Sequence, residues 1–141
     1  MRKSGYYVTY NNKEYRASRV PNTEEIKIFS MDKDEKKNSF KRDWLIKGRY
    51  FKQLLITDLQ DAYYVHNYAV CKGEKIKISG QKEDRYLLST RNPEAAKKVN
   101  LEKISPSEYE GWVRKSEIDE LVEVKEPVWG FGKKDEPPNM E

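Results

Sequence analysis

One thiol–imidazole pair is all that this chain could assemble: among 141 residues there is one histidine, His66, and one cysteine, Cys71. A thiolate nucleophile needs a base within hydrogen-bond reach. Here the two stand five positions apart, where apolar and polar residues alternate. Alternation is the period of a half-buried strand, and it puts Cys71 on the inward side with Ala69. Cys71 therefore reads as a buried structural residue and His66 as a junction or surface residue. One His and one Cys cannot supply a Cys2His2-type zinc site. "EIDEL" (117–121) lacks the alternating oxygen-ligand spacing of a calcium loop. "GFGKKDE" (130–136) has neither the preceding gap nor the following Ser or Thr of a phosphate-cradling loop. The expectation is a protein that is not an enzyme, with no catalytic residue, no metal and no cofactor.

Two stretches carry binding chemistry instead. "KRDWLIKGRYFK" (41–52) interleaves Lys41, Arg42, Lys47, Arg49 and Lys52 with Trp44, Tyr50 and Phe51. Cations that track phosphates beside rings that stack on bases suit single-stranded nucleic acid. In the bland reading of the same stretch, Tyr50 is core, Trp44 packs with Leu45 and Ile46 beneath the connector, and the lysines are a solvated face. The other stretch lies near the C-terminus. "EPVWGFG" (126–132) sets Trp129 and Phe131 among Pro and Gly, and Glu117, Asp119 and Glu120 head an acidic run just before it. Val128, Trp129 and Phe131 either fold back to plug one end of a barrel or stand out as an aromatic anchor of the kind enriched at binding hot spots. The acids are either a solvated turn or a surface complementary to a basic partner. Glu117, Asp119, Glu120, Trp129 and Phe131 are the expected partner-binding residues.

The elements that must hold these residues are short and polar. The chain is 36% hydrophobic and 37% charged, so its core is thin, and ten Tyr, four Phe and three Trp compensate because each aromatic buries more area than an aliphatic. The net charge of +4 is uneven. Residues 1–66 carry 14 Lys and Arg against 9 Asp and Glu, or +5, and residues 67–141 carry 14 against 15, or −1. No apolar run approaches the roughly 18–20 residues of a membrane span, and "MRKSGYYVTYNNKEY" has no apolar stretch of the secretory type. A single cysteine excludes a disulfide framework within one chain. A cytoplasmic protein with no membrane partner is expected.

The chain also reads as a duplication. "YVTYNNKEYRAS" (7–18) matches "AVCKGEKIKIS" (69–79) at a spacing of sixty-one, which pairs Val8 with Ala69, Tyr10 with Cys71 and Tyr15 with Ile76. "NNK" and "KGE" between the strands are hairpin-turn chemistry, because Asn and Gly tolerate positive φ. "IKIFS" (26–30) answers "RYLLS" (85–89). The connector "NPEAAKKVN" predicts a short helix with Asn92 as N-cap and Pro93 at its first position, and "MDKDEKKNSF" is a rougher version of it. Thr57-Asp58-Leu59 then matches Ser116-Glu117-Ile118, each hydroxyl placed to cap a helical turn. The expected organisation is a first repeat over 5–66, a second over 67–126, and an aromatic segment with a disordered tail over 127–141.

"KGEKIKI" (72–78) and "GWVRKSEI" (111–118) resemble the turn and the closing strand of bacterial SH3-like domains. The resemblance implies a mainly β fold with short helices, built as two tandem SH3-like or small β-barrel repeats. In its length, its Tyr- and Lys-rich duplicated β units and its "Y-x-x-W-V-x-K-S-E-I" pattern, the chain is similar to the immunity proteins of bacterial polymorphic-toxin systems. That resemblance implies a protein partner, a cognate toxin domain whose site is occluded by binding. Single-stranded nucleic-acid binding through the 41–52 segment is the second reading.

Overall fold

The computed structural model describes residues 2–132, so the expected disordered tail at 133–141 lies outside the described residues. Short alternating segments become strands: β1 (Gly5–Tyr10), β2 (Lys13–Arg19), β3 (Glu25–Ser30), β4 (Lys41–Arg42), β5 (Tyr50–Leu55), β6 (Asp61–Cys71), β7 (Glu74–Lys82), β8 (Arg85–Thr90), β9 (Glu102–Ser105), β10 (Glu108–Arg114) and β11 (Glu120–Pro127). One α-helix, α1 (Pro93–Lys98), and 3-10 helices at Lys33–Asn38, Ile56–Asp58 and Lys115–Glu117 complete a mainly β chain.

The described chain divides into two compact units. The first holds Gly5–Val65 with 125–132, and the second holds His66–Val124 with 2–4. In the first, the strand order is β4-β5-β3-β2-β1-β6. In the second it is β9-β10-β8-β7-β6, with β11 also paired to β6. Put in register, the two orders are the same list.

The repeat holds down to single hydrogen bonds. Val8 faces Tyr15 across the first hairpin as Ala69 faces Ile76 across the other. Asn11 and Asn12 take positive φ in one turn, and Lys72 and Gly73 in the other. Asp32 accepts from the Asp34 N–H at the start of the first connector, and Asn92 accepts from Glu94 and Ala95 at the start of α1. Ser39 and Asn100 end those helices at φ 72° and 60°, sixty-one residues apart. The Gln60 N–H donates to Thr9 O at 2.9 Å, and the Asp119 N–H donates to Val70 O at 2.8 Å.

Each unit has its own core, filled by the inward side of this alternation. Val8, Tyr15, Ile26, Ile28, Phe40 and Leu54 are buried in the first unit, and Ala69, Ile76, Tyr86, Leu88, Leu101 and Val113 occupy the matching places in the second. The pairs trade volume, Tyr15 for Ile76 and Ile26 for Tyr86, as cores do when total volume is conserved. Cys71 is buried beside Ala69.

Two local expectations are corrected. Thr57 and Ser116 do not cap their helical turns. The turns begin one residue earlier, at Ile56 and Lys115, and neither N-cap residue, Leu55 or Arg114, makes a side-chain cap. In the first, Asp58 Oδ2 instead accepts the Leu55 N–H at 2.9 Å. The second correction concerns Trp44, Leu45 and Ile46, which are not packed beneath the connector. They are exposed.

Candidate interaction surface

Where the two copies diverge, the first gains a loop. β9 and β10 are joined by two residues, Pro106 and Ser107, whereas β4 and β5 are joined by seven, 43–49. The register across the base is otherwise short and firm, with Lys41 opposite Phe51 and Arg42 opposite Tyr50. Asp43 then turns the chain. Its carboxylate accepts the Leu45 N–H at 2.9 Å through Oδ1 and the Arg49 Nε–H at 2.7 Å through Oδ2. Its own N–H donates to Arg49 O at 2.9 Å, and the Arg49 N–H donates to Ile46 O at 3.2 Å. Gly48 sits at φ 81°, a conformation L side chains rarely adopt. The Leu45 N–H, with the Arg49 guanidinium beyond it, holds the Asp43 carboxyl below its usual range against the effect of burial.

This frame points apolar side chains at water. Trp44 is 86% exposed and Leu45 89%, with Ile46 at 45% and Met31 at 66% beside Gly48. A soluble domain rarely presents such residues side by side, and contiguous exposed apolar surface marks interaction sites. The cations of the stretch separate into two sets. Arg49 is spent on Asp43 and on the face of Phe29, 4.2 Å from its ring centre. Lys52 donates to Asn38 O at 3.0 Å and to the Tyr10 hydroxyl at 3.2 Å. Lys41, Arg42 and Lys47 are exposed, and the Arg42 guanidinium lies 5.6 Å from the Trp44 ring centre. The five expected basic residues therefore split into three at the surface and two built into the fold.

The other expected residues are divided between the units. Glu117, Asp119 and Glu120 are exposed in the second. Trp129 and Phe131 lie in the first, half-buried and packed with Val128 against its core. Trp129 stacks on Tyr6 with ring centres 5.2 Å apart, and the Val128 N–H donates to Ala62 O. Of the two alternatives for this segment, that packing is the folded-back one. With Arg19, Glu24 and Ile56 these aromatics line an open cleft of about 640 Å³.

One further group was invisible as a candidate. Glu35, in a charged run, is buried, and its carboxylate accepts from the Tyr15 hydroxyl at 2.7 Å, Asn38 Nδ2 at 2.8 Å and Lys13 Nζ at 3.2 Å. Burial pushes its pKa up, but the hydrogen bonds from Asn38, Tyr15 and Lys13 outweigh that and hold it below the ordinary carboxylate value. The same burial and the same bond raise the pKa of Tyr15. In the second unit Ala96 stands in this place, since Leu101 donates to Ala96 O as Phe40 donates to Glu35 O. The cluster therefore pins the first connector to β2.

Among the described residues no cluster of three or more His, Cys, Asp or Glu is placed to hold a metal ion. No helix among them is long and apolar enough to cross a membrane. Burial raises the Cys71 thiol pKa, which keeps it protonated and a weak nucleophile. A protein-family model matches residues 2–129, and its description is uncharacterised conserved protein UCP033725. Among curated proteins and among solved structures no significant match is found.

Proposed function

We propose, for a chain that belongs to this family of uncharacterised conserved proteins, a binding role without chemistry of its own: a cytoplasmic immunity protein that holds a cognate toxin domain and occludes its site. The observation that supports the reading best is the exposed Trp44-Leu45-Ile46 tip on a seven-residue loop present in one copy of the repeat and absent from the other. The strands common to both copies are needed for the core of each. A loop that only one copy carries, braced by Asp43 and Arg49 and tipped with side chains that gain nothing by facing water, is explained by a partner. Occlusion asks for a few large anchors within a polar rim, and this loop supplies both. The resemblance to SH3-like repeats and to polymorphic-toxin immunity proteins rests on the sequence patterns, and the loop is compatible with it.

Single-stranded nucleic-acid binding is the second reading. The exposed Trp44 ring beside Arg42 favours it. The inward use of Arg49 and Lys52 weighs against it, because it leaves three cations to follow a phosphate chain, and Leu45 and Ile46 have no base to meet.

The test is affinity capture of the tagged protein from its native lysate, with and without nuclease. One stoichiometric protein that survives nuclease, and whose toxicity in a co-expressing host is relieved by this chain, supports the immunity reading. Capture that collapses on nuclease treatment overturns it in favour of nucleic acid.

A further inference from the structure

Deepening that reading, and resting on it, we infer that the 43–49 loop is the element inserted into the partner, and that it enters an apolar cleft of a protein whose rim carries carboxylates. The sign of the charge decides this. The exposed anchors Trp44 and Leu45 are accompanied by Lys41, Arg42 and Lys47, all exposed. The one carboxylate in the loop, Asp43, is turned inward and consumed by Leu45 and Arg49. What the loop shows to a partner is apolar at the tip and purely cationic around it. A complementary surface is apolar at its floor and anionic at its rim. The partner class that follows is an enzyme working with Asp or Glu side chains in its cleft, as glycoside hydrolases do. A nuclease groove built of Lys and Arg to bind phosphates has the wrong sign for this loop.

Anionic membranes and single-stranded nucleic acid share that sign, but two features favour a shaped protein cleft over both. The loop is preorganised by four hydrogen bonds that centre on Asp43 and Arg49. Preorganisation lowers the cost of docking into a site of fixed shape, and a fluid bilayer gives little return on it. Leu45 and Ile46 are aliphatic and gain from an apolar floor, where a nucleic acid offers bases to stack and phosphates to pair.

The deciding experiment places a photo-crosslinking benzoylphenylalanine at position 44 of the full chain in native cells and maps the peptide it captures. In parallel, Trp44→Ala and a Lys41→Glu/Lys47→Glu variant are tested on the captured protein, on vesicles containing 30% phosphatidylserine, and on an oligo-dT strand. The expected result is a crosslink to a protein peptide bordering a cleft with Asp or Glu side chains. Trp44→Ala then weakens binding by at least about 30-fold, and the charge reversal slows association by about tenfold or more, with a matching loss as salt rises. Binding of wild type to the vesicles or the oligonucleotide that Trp44→Ala abolishes overturns the inference. So does a crosslink to a Lys- and Arg-lined groove. If affinity capture yields a partner that never crosslinks from position 44, the loop assignment falls while the binding role stands. If no protein partner is captured by either route, both fall.

Discussion

Replacing Glu35 with alanine destabilises the first unit by about 1–4 kcal/mol, and the figure can be built contact by contact. The Tyr15 hydroxyl is buried and gives its proton to Glu35 Oε2 at 2.7 Å. Deprived of that acceptor it costs about 1–3 kcal/mol. Lys13 is the ionic partner, but its side chain is 59% exposed, so the pair contributes at most about 1 kcal/mol. Asn38 is exposed and rehydrates at little cost. The matching position in the second unit is Ala96 with the same backbone hydrogen bond, so an alanine is compatible with the backbone there. Most of the loss is thus the orphaned hydroxyl, and a second substitution checks that. Tyr15→Phe removes the donor, so the double variant Glu35→Ala/Tyr15→Phe recovers about 1–2 kcal/mol relative to additivity. The assay is urea unfolding followed by Trp129 fluorescence, because Trp129 is half-buried in the first unit. The pH dependence supplies an independent check. Glu35 titrates below its ordinary range when folded, so its contribution is complete above the unfolded value of about 4.3 and is lost as pH falls through the lower folded one. Wild type therefore loses more stability between pH 6 and pH 3 than Glu35→Ala does. A Glu35→Ala midpoint within about 0.5 kcal/mol of wild type, or equal acid sensitivity of the two, refutes the reasoning.

Other outcomes follow from the same geometry. Trp44→Ala changes unfolding free energy by less than about 0.5 kcal/mol, whereas truncating a buried aromatic costs about 3–5 kcal/mol. A large loss on denaturant titration means that Trp44 is structural. Asn92→Ala costs about 1 kcal/mol, because its side chain accepts from Glu94 and Ala95 at the start of α1, and circular dichroism during thermal unfolding reads the shift. Cys71 stays unmodified by a thiol reagent at pH 8 in the folded protein and reacts on unfolding, since burial raises its pKa and closes access. Rapid labelling of the native protein contradicts that placement.

Much of the architecture was legible before any coordinate, for a local reason. Strand alternation, the Asn11-Asn12 and Lys72-Gly73 turns, the Asn92-Pro93 helix start and the sixty-one-residue spacing are all properties of neighbouring residues. Backbone sterics and short-range hydrogen bonds fix them wherever they stand. The duplication strengthened each reading, because a weak signal such as "MDKDEKKNSF" could be matched to a stronger one sixty residues on. The site was less legible. Trp44, Leu45 and Ile46 form an apolar run, and hydrophobicity alone assigned them to the interior. The clue available was the turn chemistry around them, Asp43 before and Gly48 after, where a packed strand would alternate.

By itself, then, the sequence determined the β class, the order of most elements and the inward side of the opening hairpin in each copy, while its match of "IKIFS" to "RYLLS" fell one residue out of register, since Ile26 and Ile28 correspond to Tyr86 and Leu88. Tertiary structure alone decided which side chains have something to pack against. Glu35 looks solvated in a run of charges until Tyr15, twenty residues away, meets it across the fold. Trp129 belongs to the first unit although the second repeat precedes it in the chain, because Tyr6 and the core around it give the ring a place. The 43–49 loop is left outside because its two anchoring residues close it on itself, and no other segment of the described chain covers its tip. Burial is a relation between distant residues, and no pattern within a short window encodes it.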